Sequence, residues 1–128
     1  MKILVVEDDA IKKRCIEYYF SKNNIAELHF EMSVMPALNY VIEHLDEISG
    51  VILDLGLTSY NDSTDYDYEK GLLFVEELTR KEITIPILIN STTEIDLSYV
   101  MKNHKNVKGQ TAILRGHEDL EEFLALLK

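Results

Sequence analysis

Cysteine, proline and long apolar runs are scarce in this chain, and each scarcity excludes some classes of protein. The single cysteine, Cys15, has no second cysteine in the chain to pair with, which fits a reducing compartment. Two prolines and no Pro- or Gly-rich linker leave no mark of a boundary between domains. No apolar run approaches the length of a membrane span, and acids interrupt the segment where a signal peptide would stay apolar. We therefore expect one cytoplasmic domain over residues 1–128, without membrane contact.

Positive charge is also in short supply. Thirteen Lys and Arg residues face 23 Asp and Glu residues, which gives a formal net charge of −10. Direct binding to nucleic acid needs basic side chains to neutralise phosphate, so this balance argues against it. Apolar residues still make up 46% of the chain, enough for a folded core. The acidity serves solubility, or else some of the acids converge on one cation.

Short apolar runs alternate with segments of helical periodicity along the chain. The predicted strands are 2–6, 28–32, 51–55, 85–90 and one around 112–114. The predicted helices are 11–22, 36–45, 72–78, 95–102 and 120–127. Such alternation implies parallel strands joined by right-handed crossovers, and the nearly continuous apolar runs suit strands covered on both faces. The sequence therefore predicts an α/β fold with a doubly wound five-stranded parallel sheet and five helices.

Polar and charged residues follow several of these predicted strands. Glu7 and Asp8 come after the first strand, Asp54 ends the third, Ser91 follows the fourth, and Arg115 follows the fifth. In a doubly wound sheet, ligands bind outside the carboxyl ends of the strands, so these residues are expected at one edge. Carboxylates gathered there repel one another unless a cation lies among them. Mg²⁺ suits such an all-oxygen site.

Each of these residues also has an ordinary structural explanation. The acids at 7–9 suit the first turn of a helix, where the helix dipole favours negative charge. Ser91 opens a segment that matches a helix capping box, and Arg115 can be a surface cation. Asp54 is harder to explain, because a carboxylate inside an apolar run is unfavourable when it is buried without a partner. The coincidence of all of them at one sheet edge favours a functional site.

Three segments together resemble the receiver domains of bacterial response regulators. Residues 3–9, Ile-Leu-Val-Val-Glu-Asp-Asp, are similar to the first strand of that family with its acidic pair. Residues 51–55, Val-Ile-Leu-Asp-Leu, resemble the strand with the phosphorylated aspartate, and residues 86–91 resemble the strand that ends in a switch hydroxyl. The resemblance spans nearly the whole chain. It implies a flavodoxin-like fold of the chemotaxis-protein type, with strand order 2-1-3-4-5.

The resemblance also implies a role for each site residue. Asp54 would accept a phosphoryl group as the nucleophile. Glu7, Asp8, Asp54 and the backbone carbonyl of Gly56 would hold Mg²⁺. Ser91 would bond a phosphoryl oxygen and move with it. An aspartate nucleophile gives an acyl phosphate, and a metal screens the carboxylates from the incoming anion.

The chain departs from the family pattern in three places. The family has a lysine after the fifth strand, and here the best match is Arg115, which is not interchangeable with lysine. Lys108 competes for this role, but the distance of Arg115 from Ser91 is closer to the family spacing. Ala112 stands where the family often has an aromatic switch residue. The loop at 58–70 is long, and it is either a solvated loop or a lid or docking loop beside the site.

These observations predict a stand-alone response-regulator receiver in a Mg²⁺-dependent phosphorelay. A histidine kinase or phosphotransfer protein would supply the phosphoryl group, and a separate protein would provide the output. The chain would promote its own phosphorylation and dephosphorylation without being an enzyme on other substrates. The alternative is a pseudo-receiver, a phosphorylation-independent interaction module. A Mg²⁺-dependent phosphohydrolase is less well supported, because Asp54 lacks the usual second aspartate two residues later.

Overall fold

A computed structural model describes residues 1–56 and 69–128 of the chain. The strands are β1 (Lys2–Val6), β2 (Glu27–Glu31), β3 (Ile48–Leu53), β4 (Ile87–Asn90) and β5 (Val107–Thr111). The helices are α1 (Ala10–Asn23), α2 (Val34–Glu43), α3 (Glu69–Arg80), α4 (Leu97–Asn103) and α5 (Glu118–Leu127). All strand pairs are parallel, and the sheet order is β2-β1-β3-β4-β5. This confirms the predicted fold class and strand order.

Helices cover both faces of the sheet because the central strands are apolar on both faces. On β1, Leu4 and Val6 belong to the core beneath α2, α3 and α4. Ile3 and Val5, which alternate with them, belong to the core beneath α1 and α5. This alternation accounts for the continuous apolar run in the sequence.

Acidic side chains fix where two of the helices begin. Asp9 caps α1, and its side chain accepts hydrogen bonds from the backbone N–H groups of Ile11 (2.8 Å) and Lys12 (3.2 Å). Asp96 caps α4 in the same way and accepts from the N–H of Tyr99 at 3.1 Å. The helix that follows β1 therefore starts immediately beyond the acidic pair.

The fifth strand is the main difference from the sequence-based prediction. The strand is Val107–Thr111, and the apolar segment at 112–114 is a turn that follows it. Ile113 in that turn is buried in the core beneath α1 and α5, and its N–H donates to Oδ1 of Asn90 at 3.1 Å. The prediction of a strand at 112–114 was therefore wrong: the segment is a turn with one residue buried in the core.

Smaller differences concern α1 and β3. On α1, Ile11 is 68% exposed and Cys15 is half-buried, while Ile16 and Phe20 are the residues buried in the core. The third strand starts earlier than expected and ends before Asp54. The predicted loop at 58–70 lies almost entirely outside the described residues. No helix in the part of the chain described here is both long and apolar enough to cross a membrane.

Candidate functional site

The acidic residues predicted from the sequence meet at the carboxyl edge of the sheet. The N–H of Glu7 donates to the carbonyl of Glu31 at 2.9 Å, which extends the pairing of β1 with β2 beyond the strand end. The N–H of Asp54 donates to the carbonyl of Val6 at 2.9 Å, which places it beside the end of β1. These backbone bonds fix the positions from which the two side chains project. Strand order thus brings together residues that are far apart in sequence.

Glu7, Asp8 and Asp54 form one carboxylate cluster. One carboxylate oxygen from each lies within 4.8 Å of the others. Glu7 is 1% exposed, Asp54 is 4% exposed, and Asp8 is half-buried. The ordinary explanation for the acids at 7–9 holds only for Asp9, which caps α1. Glu7 is buried and does not cap the helix.

Burial changes the protonation of Glu7. Desolvation, followed by the hydrogen bond to Asp54 and the repulsion from its charge, raises the pKa of Glu7 to about 9. Two ionised carboxylates offer only acceptors to each other, so a proton on Glu7 relieves both the repulsion and the desolvation. This raised pKa favours one proton within the Glu7–Asp54 pair at neutral pH when no metal ion is bound.

The donor set of the cluster fits Mg²⁺. Oε1 of Glu7 is buried and has no hydrogen-bond partner among residues 1–56 and 69–128. A cation placed within the cluster would satisfy that oxygen and would replace the shared proton. The cluster offers carboxylate oxygens and neighbouring backbone carbonyls, and oxygen atoms are the ligands that Mg²⁺ prefers.

The backbone around Asp54 is closely packed. The N–H of Gly56 donates to Oδ1 of Asp54 at 3.4 Å, and the predicted role of the Gly56 carbonyl as a metal ligand stays a prediction. Gly71 in α3 approaches so closely that a Cβ atom there would lie 2.5 Å from Cα of Leu55 and 2.8 Å from the carbonyl oxygen of Asp54. A glycine at this point lets α3 pack directly on the segment that carries Asp54.

Ser91 lies next to the site at the end of β4. It is 6% exposed, and its Oγ accepts from the N–H of Thr93 at 3.1 Å. The capping-box explanation for Ser91 fails, because α4 begins only at Leu97. Nε2 of Gln110 donates to the carbonyls of Ser91 and Thr93, both at 2.9 Å. Gln110, which the sequence did not single out, therefore anchors the loop that holds the hydroxyl.

Arg115 is not at the end of the fifth strand. It lies in the turn after Thr111, where its N–H donates to the carbonyl of Ala112 at 2.8 Å, and its side chain is exposed. Within residues 1–56 and 69–128, no hydrogen bond or ion pair joins the side chain of Arg115 to Asp54 or Ser91. Lys108 is an exposed residue within β5. The positional argument for Arg115 was therefore wrong, and its role stays a prediction.

The cation that does contact Asp54 is Lys12, which sequence reasoning missed. Nζ of Lys12 lies 3.5 Å from Oδ1 of Asp54, and the two side chains are 24% and 5% exposed. The sequence carried one signal: Lys12 falls in the first turn of α1, where the helix dipole disfavours positive charge. A cation at that position needs an acidic partner to offset the unfavourable dipole.

Comparison with known proteins identifies the architecture. No protein-family model and no curated protein sequence matches the chain. Among solved structures, the BeF3-activated N-terminal receiver domain of RstA from Klebsiella pneumoniae is similar, with 20% identity and a TM-score of 0.74 over 100% of this chain and 99% of that one. A DNA-binding response regulator of the LuxR family from Staphylococcus aureus has 19% identity and a TM-score of 0.73, covering 98% and 97% of the two chains.

A third similar structure is relevant to the acidic cluster. The Mn²⁺-bound form of the response regulator Rcp1 has 18% identity and a TM-score of 0.65, covering 98% of this chain and 88% of that one. At identities this low, the comparisons show the fold. The chain has the fold of response-regulator receiver domains along nearly its whole length, with an acidic cluster of Glu7, Asp8 and Asp54.

Proposed function

We propose that this chain, on the basis of its receiver fold, is a signalling domain that accepts a phosphoryl group on Asp54. The observation that carries the proposal is the buried cluster of Glu7, Asp8 and Asp54 at the carboxyl edge of the sheet. A buried cluster of carboxylates is unfavourable for the fold unless a cation or a proton offsets its charge. Carboxylate oxygens suit a divalent cation, and a bound cation would offset the negative charge of a phosphoryl group on Asp54.

In the proposed reaction, an Oδ atom of Asp54 attacks the phosphorus of a phosphohistidine. The new P–O bond forms as the P–N bond breaks. The electron pair of the P–N bond stays on the imidazole nitrogen. Glu7, Asp8, Asp54 and the carbonyl of Gly56 would hold Mg²⁺, which supplies charge neutralisation for the transferred group. The donor would be a histidine kinase or a phosphotransfer protein in the cytoplasm.

Ser91 is the residue that would report the modification. Ser91 directly follows β4, the strand that pairs with β3, and its hydroxyl would donate a hydrogen bond to a phosphoryl oxygen. That hydrogen bond would shift the loop that Gln110 anchors. The shift would change a surface that a separate output protein binds. We propose this role for residues 1–128 acting as one domain, without direct binding to nucleic acid.

The first prediction tests the modification itself. Incubation with acetyl phosphate and Mg²⁺ should add the mass of one phosphoryl group to the intact chain, and Asp54→Asn should abolish the gain. Intact-mass spectrometry measures both. Asp119→Asn, which removes an exposed acid from the first turn of α5, is the matched control and should behave as wild type.

A pseudo-receiver is the second candidate, and one observation favours it. The position directly after β5 is held by Ala112 and the buried Ile113, with no cation until Arg115. An interaction module without phosphorylation needs no such cation. Absence of any mass gain with acetyl phosphate, and with a candidate kinase, would support this function over phosphoacceptance.

A further inference from the structure

A phosphoryl group on Asp54 needs a positive charge beside it besides the metal ion. The transferred group carries charge on its oxygens, and neutralising that charge is most of what a phosphoryl-transfer site does. The turn after β5 does not present a cation at its start. Its first residues are Ala112 and Ile113, and Ile113 is turned into the core with its N–H held by Asn90.

Lys12 meets the same requirement from another element. Its Nζ is the nearest cation to the phosphoacceptor, at 3.5 Å from Oδ1 of Asp54 among the described ion pairs. Its backbone is fixed, because its N–H donates to the capping side chain of Asp9 at 3.2 Å. Lys13, the next residue, extends elsewhere: its Nζ lies 4.9 Å from the ring centroid of Phe30. The contact with Asp54 is therefore particular to Lys12.

Lys12 also borders the residues that would receive the phosphoryl oxygens. A small cavity of about 10 Å³ is lined by Lys12, Asn90 and Ser91 together with the turn that follows β5. Nδ2 of Asn90 is buried and donates to no acceptor in the part of the chain that the structure describes. Lys12 therefore contacts the carboxylate of Asp54 and also lines a cavity with Asn90 and Ser91.

We propose that Lys12, from the first helix, supplies the positive charge that stabilises the phosphoryl group on Asp54. This inference rests on the proposed function. During transfer from an acyl phosphate, an Oδ atom of Asp54 forms the new bond to phosphorus. The bond from phosphorus to the acyl oxygen breaks, and its electron pair leaves with the carboxylate product. Lys12 keeps its protons throughout and attracts the phosphoryl oxygens by charge and hydrogen bonding.

The test compares charge removal at adjacent positions. Variants Lys12→Gln, Lys12→Arg, Lys13→Gln and Arg115→Gln are each incubated with acetyl phosphate and Mg²⁺, and the rate of mass gain is measured. Lys12→Gln should slow phosphorylation by at least about tenfold, and by up to about a hundredfold, the low end for loss of one oxyanion-hole donor. Lys12→Arg should recover part of the rate. Lys13→Gln removes the same charge one residue away and should match wild type.

A second measurement separates a charge role from a structural one. Lys12 competes with a metal ion for Asp54, so Lys12→Gln should bind Mg²⁺ more tightly, by about threefold to tenfold. Titration calorimetry with Mg²⁺ alone measures this without phosphorylation. Slow phosphorylation combined with weaker Mg²⁺ binding would mean that Lys12 only supports the fold, and would overturn the inference.

The remaining outcomes are distinguishable. If wild type gains the phosphoryl mass and Lys12→Gln is as fast as Lys13→Gln, the inference is wrong and the proposed function stands. If Arg115→Gln alone is slow, the role returns to Arg115. If wild type gains no mass, the proposed function fails, and the inference fails with it.

Discussion

Glu7 combines burial and charge repulsion in one carboxyl group. The same desolvation that raises its pKa to about 9 also makes it a strong metal ligand once its proton has left. Nζ of Lys12 lies 3.5 Å from Oδ1 of Asp54, and the same positive charge partly offsets the rise in the pKa of Glu7. A metal ion would bind by displacing the proton from Glu7, and binding should therefore be stronger at higher pH.

The pH dependence of stability should reveal this proton. Because the pKa of Glu7 is about 9 in the folded chain and near 4.5 in the unfolded chain, the folded state holds one proton more between these values. The stabilisation is complete below the unfolded pKa and is lost as pH rises toward the folded pKa. For one proton, the free energy of unfolding falls by up to about 1.4 kcal/mol per pH unit.

Glu7→Gln should remove this contribution. Urea unfolding in the presence of a chelator, repeated between about pH 5 and pH 9, should give a shallower decline for the variant than for wild type. Asp119→Asn serves as the control and should keep the wild-type slope. Equal slopes for Glu7→Gln and wild type would show that Glu7 is ionised in the folded chain at neutral pH.

Among the strands, the central ones were predictable and the edge strand β5 was not. β1, β3 and β4 are covered on both faces, so burial forces nearly continuous apolar runs that the sequence displays directly. β5 reads Val-Lys-Gly-Gln-Thr, because an edge strand has exposed positions that tolerate polar residues. The segment is a strand because it pairs with β4, and local sequence patterns do not indicate this pairing.

The site was predictable to the extent that strand ends determine it. Glu7, Asp8 and Asp54 were found because every parallel strand brings its carboxyl end to the same edge. Lys12 was missed because helical spacing predicts which face of the helix a residue lies on. It does not predict which residue of a neighbouring strand a long side chain contacts. The prediction for Arg115 assumed that the fifth strand ends just before it. That assumption was wrong because the apolar residues before Arg115 form a turn and not the strand.

The packing of α3 on the end of β3 provides a test at Gly71. Gly71→Ala would place a Cβ atom 2.5 Å from Cα of Leu55, so the helix or the strand end must move. We expect a loss of about 1–3 kcal/mol in the free energy of unfolding, typical of overpacking, and slower phosphorylation because Asp54 moves with its backbone.

Gly116→Ala is the matched control for Gly71→Ala. A Cβ atom at Gly116 meets nothing within 4 Å, so this variant should match wild type in both measurements. Thermal or urea unfolding gives the stability, and intact mass gives the phosphorylation rate. Wild-type values for Gly71→Ala would show that α3 can shift away from Leu55 without disturbing the site.

For the protein as a whole, the acidic cluster should make stability depend on Mg²⁺. With about 10 mM Mg²⁺ and a dissociation constant of about 1 mM, the folded state gains roughly 1.4 kcal/mol by mass action. Asp8→Asn should be more stable than wild type without metal, by roughly 1 kcal/mol, because it removes repulsion within the cluster. It should gain less from Mg²⁺.

Unfolding at fixed ionic strength, with and without Mg²⁺, measures both effects. Asp119→Asn should show neither, since an exposed charge interacts weakly through water. A wild type that ignores Mg²⁺, together with a destabilised Asp8→Asn, would identify these carboxylates as structural acceptors and not as metal ligands.

The position of β1 in the sheet has a consequence for how the chain emerges from the ribosome. β1 is made first, yet it lies between β2 and β3, so one of its edges stays unpaired until Leu53 has been synthesised. Its side chains are apolar on both faces, and an open apolar edge can pair with another chain. We therefore expect the nascent chain to be prone to aggregation until β3 pairs with this edge and brings Asp54 to Glu7.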